Sequence, residues 1–161
     1  MRRKKKLIGV MCLFLTFSLC WGCTSKSAQE EPTSTSLPYY EFQGVRAGAN
    51  WTDAKLVFGE PENQIQEDSS LTTYTYPHIM VITAKLNGQE SVKAIRLRSN
   101  AVATAQGSMI GDLKETIIKN EGTVYTTDRE GGMVYVKETT TLCFMLDEDG
   151  MVIAIEYGMI G

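Results

Sequence analysis

The chain has 161 residues, of which 43% are hydrophobic, 22% charged and 9% aromatic, with four cysteines and one histidine. This composition is typical of one globular domain, and it excludes a disordered chain, a disulfide-stapled scaffold and a multi-domain enzyme. Beyond residue 22 the chain carries eleven Lys or Arg against nineteen Asp or Glu, a formal charge of −8. A body this acidic would repel a phosphate backbone, so we expect no nucleic-acid partner.

Residues 1–22 have the pattern of a secretory signal peptide. Five basic residues at positions 2–6 precede an uncharged, mostly apolar run of 13 residues at positions 7–19. A helix of that length spans about 20 Å, which is shorter than a bilayer core of ~30 Å. The pattern therefore favours a cleaved signal over a permanent anchor, although an uncleaved anchor reaching Trp21 is the alternative.

The end of this segment, Cys20-Trp21-Gly22-Cys23, resembles the acceptor site of bacterial lipoprotein signal peptides. Gly22 fits the small residue that precedes the acceptor cysteine in that family, whereas Cys20 and Trp21 depart from its aliphatic and small residues. The resemblance implies that Cys23 becomes a lipidated N-terminus; a plain signal peptide is the alternative. Two or three acyl chains would hold the protein durably on the extracytoplasmic face of the cell membrane, or on the outer membrane of a Gram-negative source.

Residues 24–38 are rich in Ser, Thr, Glu and Pro and contain almost no apolar side chains. Such a stretch cannot bury enough surface to offset the entropy of ordering the chain. We therefore expect a disordered tether at residues 23–38 and one folded domain at residues 39–161.

The folded part contains an internal repeat at a spacing of 63 residues, which becomes 60 after a hairpin loop of variable length. The recurring pairs are Gln43 and Gln106, Gly48 and Gly111, Gly59 and Gly122, and, after the loop, Val92 and Val152. The first repeat covers residues 41–98 and the second covers residues 104–157. Because a unit of this size is marginal alone, we expect both to share one sheet and one core.

Each repeat predicts a short helix followed by an antiparallel meander. We expect Asn50 to cap the first helix, and Asp112 to cap the second in a capping box with Glu115. The glycines that end the two helices are Gly59 and Gly122. The predicted strands are Leu71–Tyr76, Ile79–Lys85, Val92–Arg98, Met133–Glu138, Thr140–Asp147 and Met151–Tyr157, with hairpin turns at Asn87-Gly88 and Asp149-Gly150.

These elements predict an α+β fold in which two pseudo-repeats form one sheet with helices packed on one face. The layout over residues 41–157 resembles the β-lactamase-inhibitor-protein-like fold, shared by small outer-membrane-assembly lipoproteins of the SmpA/OmlA type. The residues that carry the resemblance are Gly44, Gly48, Gly59, Glu60 and Pro61, with Gly107, Gly111 and Gly122 in the second repeat. The second repeat has Thr123-Val124 in place of Glu60-Pro61. The resemblance implies a protein-binding role in the cell envelope and brings no catalytic residues.

The residues that could carry chemistry lack the partners that catalysis or metal binding requires. His78 is the single histidine and lies at a predicted turn, and the Asp147–Gly150 segment has the wrong spacing for a calcium loop. Cys143 lies within a strand, where a small buried hydrophobic residue is the expected role. We therefore expect no enzymatic activity, no cofactor and no metal.

The second face of the sheet is unusually apolar. Met80, Ile82, Cys143 and Met145 occupy strand positions where half-buried strands normally carry polar residues. We expect this face to be either additional core or an exposed surface fringed by tyrosines, namely Tyr74, Tyr76 and Tyr135. Methionine and tyrosine are residue types that adaptable protein interfaces use.

The sequence thus favours a lipid-anchored, extracytoplasmic protein-binding module of the bacterial cell envelope. The alternative is a small-ligand or lipid-binding envelope sensor with a pocket between the repeats. A broad apolar patch would support the first hypothesis, and a cavity with a few convergent polar groups would support the second.

Overall fold

The computed structural model describes residues 37–160, so the predicted signal peptide, Cys23 and nearly all of the tether lie outside the described residues. Within this range the chain has ten strands and two helices. They are β1 (Glu41–Phe42), β2 (Val45–Arg46), α1 (Trp51–Phe58), β3 (Asn63–Gln66), β4 (Leu71–Thr75), β5 (Ile79–Leu86), β6 (Gln89–Leu97), α2 (Lys114–Glu121), β7 (Thr126–Thr127), β8 (Met133–Lys137), β9 (Thr140–Leu146) and β10 (Val152–Met159). Among residues 37–160, neither helix is long and apolar enough to cross a membrane.

Eight of these strands form one antiparallel sheet in the order β3-β4-β5-β6-β10-β9-β8-β7, and β1 and β2 form a separate hairpin. The pairing of β6 with β10 joins the two meanders, with Leu97 opposite Ile155 and Ile95 opposite Tyr157. All four of these side chains are buried, so the seam between the meanders lies in the core. The fold is α+β, built on a single continuous sheet.

Helix α1 begins and ends as its sequence predicts. The Asn50 Oδ1 atom accepts a hydrogen bond from the backbone amide of Thr52 at 2.8 Å, which satisfies one of the free amides at the helix start. Gly59 follows the last turn with a φ of 79°, a conformation that glycine adopts without steric cost. Trp51 and Ala54 face the sheet and are buried.

The predicted capping box of α2 is wrong. The helix begins one residue later than predicted, after Leu113, and no side chain caps its first turn. The Asp112 carboxylate instead accepts a hydrogen bond from the Met109 amide at 2.8 Å. This bond closes the turn that leads into the helix, so the carboxylate does not cap the helix itself. Glu115 therefore has no capping partner, and Ile117 is the buried residue of the helix.

Both helices contact the same face of the sheet. The Trp51 ring stacks on the Tyr74 ring with centroids 4.1 Å apart. On the other half, the Tyr135 hydroxyl donates a hydrogen bond of 2.9 Å to the carbonyl of Gly122 at the end of α2. The core lies between the helices and this face, where Val81, Phe144 and their neighbours are fully buried.

The six predicted strands are present, with bounds that differ by one to three residues. The turn between β5 and β6 has positive φ at Asn87 (52°) and Gly88 (82°), which is the geometry of a type I′ hairpin and confirms that prediction. The sequence did not predict β1, β2, β3 or β7, of which β3 and β7 are the two edges of the large sheet.

Candidate functional site

The sheet surface opposite the helices, which we call the open face, carries a row of side chains that crosses the sheet. Cross-strand pairing sets Met80 opposite Arg96, Arg96 opposite Glu156, Glu156 opposite Cys143, and Cys143 opposite Val134. Directly paired residues point to the same side of a sheet, so all five side chains share the open face.

An ion pair lies at the centre of the open face, on the two strands that join the meanders. The Arg96 guanidinium donates from Nε and Nη2 to Glu156 Oε2, at 2.9 and 2.6 Å. The side chains are 39% and 23% exposed, respectively, so water still reaches the pair. A partly exposed pair of this kind contributes modestly to stability, on the order of 1 kcal/mol or less.

Apolar side chains flank this ion pair on both sides. Met80 and Ile82 lie on one side, Cys143 and Met145 lie on the other, and all four are partly buried. The apolar surface continues outward to Ile65 and Val136, which are 49% and 51% exposed. Within residues 37–160, neither helix lies over this surface. The ion pair is therefore surrounded by apolar side chains that remain partly exposed.

The Cys143 side chain belongs to this surface as a thiol with no sign of activation. Partial burial raises its pKa, the charges of Glu156 and Asp128 act in the same direction, and a hydrogen bond with Thr141 opposes them. The reactive form of cysteine is the thiolate, which positive neighbours or a helix N-terminus favour. This environment therefore suits a contact residue and not a nucleophile.

The prediction that three tyrosines fringe this surface is wrong. Tyr74, Tyr76 and Tyr135 are only 6%, 5% and 2% exposed and lie on the helix-covered face. The strand register is the physical reason, because Tyr74 pairs with Val81 and Tyr135 pairs with Leu142, both of which point into the core. The tyrosines therefore cannot contribute to an interface on the open face.

These tyrosines serve instead to connect helix and sheet. The hydroxyl of Tyr76 donates to the carbonyl of Gly59 at 3.1 Å, and that of Tyr135 donates to the carbonyl of Gly122 at 2.9 Å. Burial, reinforced by the charge of Glu121, raises the pKa of Tyr135 to about 12. The bonds satisfy the exposed carbonyl groups at the helix ends, a role that the sequence pattern did not reveal.

Two depressions adjoin each other away from the open face, between the β1–β2 hairpin and the segment that follows β6. One has a volume of about 330 Å³ and is lined by residues 41–44 and 102–105. The other has a volume of about 170 Å³ and extends to Phe58, Tyr76 and His78. Phe42, Gln43 and Val102 line both, and both open to solvent.

The remaining candidate residues have structural contacts. His78 is exposed, and its Nδ1 atom lies 3.0 Å from the Ser99 hydroxyl. The Asp147 carboxylate accepts hydrogen bonds from the amides of Asp149 and Met151 at 3.1 and 2.8 Å, so it closes the β9–β10 turn. Neither arrangement presents a group poised for proton transfer or nucleophilic attack.

No protein-family model and no curated protein matches this chain. Among solved structures, a DUF4309 family protein (YjgB) from Bacillus subtilis is 20% identical with a TM-score of 0.43, over 69% of this chain and 78% of that one. An extracellular protein containing an SCP domain from Bacillus anthracis is 10% identical with a TM-score of 0.44, over 74% of this chain and 47% of that one. Both TM-scores are below 0.5, so these similarities carry no argument about function.

Proposed function

We propose that this protein is a lipid-anchored, extracytoplasmic binding module of the bacterial cell envelope, which contacts another envelope or secreted protein through its open face. The observation that carries the proposal is the partly exposed apolar surface formed by Met80, Ile82, Cys143 and Met145 around the Arg96–Glu156 ion pair. Interfaces combine apolar contact surface with a few charged groups that set register and specificity.

The position of the ion pair supports this function. Arg96 and Glu156 neutralise each other in the free protein, and their partial exposure leaves room for hydrogen bonds to a partner. Covering the pair strengthens its attraction by lowering the local dielectric, whereas a partner without matching polar groups would leave it incompletely solvated. The pair would thus discriminate among apolar partners of similar shape.

We further infer that the two halves are pseudo-repeats of one unit, in keeping with the fold resemblance drawn from the sequence. Equivalent hydrogen bonds recur at the spacings of the repeat: the Gly48 amide donates to the Val92 carbonyl, and the Gly111 amide donates to the Val152 carbonyl. Each half also has a strand irregularity at the same place, next to Ala94 in β6 and Ala154 in β10. In this reading, the open face is assembled from corresponding surfaces of the two copies.

The substitution Met145→Asp tests whether the open face is free to bind. Because Met145 is only partly buried, we expect the free energy of unfolding to fall by about 1 kcal/mol and the melting transition to remain. An unpaired carboxylate desolvated in the interface would weaken partner binding by roughly a hundredfold. The matched control is Phe144→Asp, in which a fully buried neighbour receives the same charge and the fold is lost. Loss of the transition in both variants would assign Met145 to the core and contradict the proposal.

The lipid anchor is tested separately at Cys23, which lies outside the described residues. Cys23→Ser should release the protein from the membrane fraction while leaving its melting transition unchanged, because the predicted tether separates lipid from fold. Retention of this variant after an alkaline carbonate wash would contradict lipidation and favour an uncleaved anchor.

The alternative function is that of a small-ligand or lipid-binding envelope sensor. The observation that favours it is the pair of adjoining depressions, of about 330 and 170 Å³, that share Phe42, Gln43 and Val102. Their combined lining includes aromatic and aliphatic side chains with a few polar groups, a mixture typical of ligand sites. Because both depressions are open to solvent, neither encloses a ligand. Protein binding through the open face is therefore the function that the geometry supports best.

A further inference from the structure

The two edges of the eight-stranded sheet are unequally protected. One edge, β7, has only two residues. The other edge, β3, has four residues, Asn63–Gln66, all of them exposed. Proteins usually protect an edge strand with lysine, proline, a bulge or extreme shortness, since its outward amide and carbonyl groups can pair with another chain. Strand β3 contains no charged residue and no proline, so it offers a bare edge.

Acidic residues lie at both ends of this bare segment. The Glu62 amide donates to the Thr75 carbonyl at 2.8 Å, and the Glu67 amide donates to the Leu71 carbonyl at 3.0 Å. The contact with β4 therefore continues one residue beyond each end of β3. Because both side chains are exposed, the edge presents a neutral centre between two carboxylates.

The same edge is continuous with the open face. Ile65 lies opposite Thr73, and Thr73 lies opposite Ile82, so these three side chains form a row on the open face. Ile65 is 49% exposed and ends the row at the edge. A strand added to β3 would extend both the hydrogen-bonded sheet and this apolar surface.

We propose that β3 accepts an extended segment of a partner protein as an additional strand, and that this segment has about four neutral residues flanked on each side by Lys or Arg. Backbone hydrogen bonds to the edge would hold the segment, and its basic flanks would pair with Glu62 and Glu67. The inference rests on the proposed function in that it requires a protein partner, but it uses the edge of the sheet and not its open face.

The charges at the edge disfavour a second copy of this chain as the occupant. A symmetric antiparallel pairing centred on Ile65 would set Glu62 of each copy opposite Asp68 of the other. Like charges directly opposite each other destabilise a strand pair, and here the repulsion would occur twice. Nor does Lys55 of α1 neutralise Glu62, because its Nζ atom lies 2.8 Å from Glu60 Oε2 and forms an ion pair there.

The test uses three capped synthetic peptides: KRTITVRK, its acidic twin EETITVEE, and KRTPTPRK, whose prolines cannot complete a strand. Binding is measured by fluorescence anisotropy at low salt, and amide hydrogen exchange locates the contact. We expect KRTITVRK to slow exchange within residues 63–66 and to bind roughly tenfold more tightly than EETITVEE, and we expect no binding of KRTPTPRK.

A charge-reversed variant supplies the decisive comparison. In Glu62→Lys/Glu67→Lys the preference should invert towards EETITVEE, whereas Glu115→Lys/Glu148→Lys, with the same change in net charge at other exposed sites, should keep the original preference. An unchanged preference in the first variant, exchange protection elsewhere than at β3, or dimerisation of the unmodified protein would overturn the proposal. Met145→Asp should leave peptide binding intact, so failure at the edge can be distinguished from failure of the open face.

Discussion

The buried tyrosines Tyr135 and Tyr157 differ in whether their hydroxyl groups have a hydrogen-bond partner. Tyr135 and Tyr157 are each 2% exposed. The Tyr135 hydroxyl donates to the Gly122 carbonyl at 2.9 Å, whereas the Tyr157 hydroxyl has no hydrogen-bond partner within the described part of the chain. A buried polar group without a partner carries the cost of its lost hydration, so the two hydroxyls should affect stability in opposite ways.

Replacing each tyrosine by phenylalanine removes only the hydroxyl and tests this difference. Tyr135→Phe should lower the free energy of unfolding by about 1–2 kcal/mol, because it leaves the Gly122 carbonyl unsatisfied. Tyr157→Phe should be neutral or stabilising by up to ~1 kcal/mol. Urea unfolding of both variants measures the difference. Equal destabilisation would mean that Tyr157 has a partner, such as a buried water.

The two helices have the same length but differ in how they begin. Asn50 caps α1 with its side chain, while Leu113 occupies the corresponding position of α2 without providing a cap. Leu113 is 49% exposed, so its apolar side chain gains little from burial there. In α2 the amides of Lys114 and Thr116 already donate to the carbonyls of Gly150 and Leu113, so a side-chain cap at position 113 would serve the amide of Glu115.

Asn50→Ala should lower the free energy of unfolding by about 1 kcal/mol, since it removes the acceptor for the Thr52 amide. Leu113→Asn should raise it by about 0.5–1 kcal/mol by introducing the missing acceptor at an extended backbone position. Thermal melting of both variants provides the measurement. A destabilising Leu113→Asn would show that the apolar surface buried by the Leu113 side chain outweighs the cap.

The central strands were predictable because their apolar residues recur with strand periodicity. Strand β3 was not, since all four of its residues are exposed and only its pairing with β4 holds it in place. The positions of Tyr74 and Tyr135 were missed for a related reason: their face depends on cross-strand register, which a single strand's sequence does not contain. The predicted cap of α2 was wrong because the Asp112 carboxylate binds a nearer donor, the Met109 amide, in the preceding turn.

At the scale of the whole molecule, the pairing of β6 with β10 turns two meanders into one surface. The buried seam residues Ile95, Leu97, Ile155 and Tyr157 bind the halves together on the helix-covered side. On the other side, the same two strands bring Arg96 and Glu156 to the centre of the open face. The pairing that stabilises the fold thus also creates a surface that neither half could form alone.

Site-specific photo-crosslinking in cells that express the chain tests the central claim, that the open face binds a protein, most directly. The photoreactive residue p-benzoylphenylalanine would replace Met80, Ile82 or Met145 on the open face, or Leu56, which is 83% exposed on α1 and serves as the matched control. We predict a discrete protein adduct from the three open-face positions, none from Leu56, and loss of the Ile82 adduct when Met145→Asp is added. Adducts from Leu56 alone, or no adduct from any open-face position in stably expressed protein, would contradict the account.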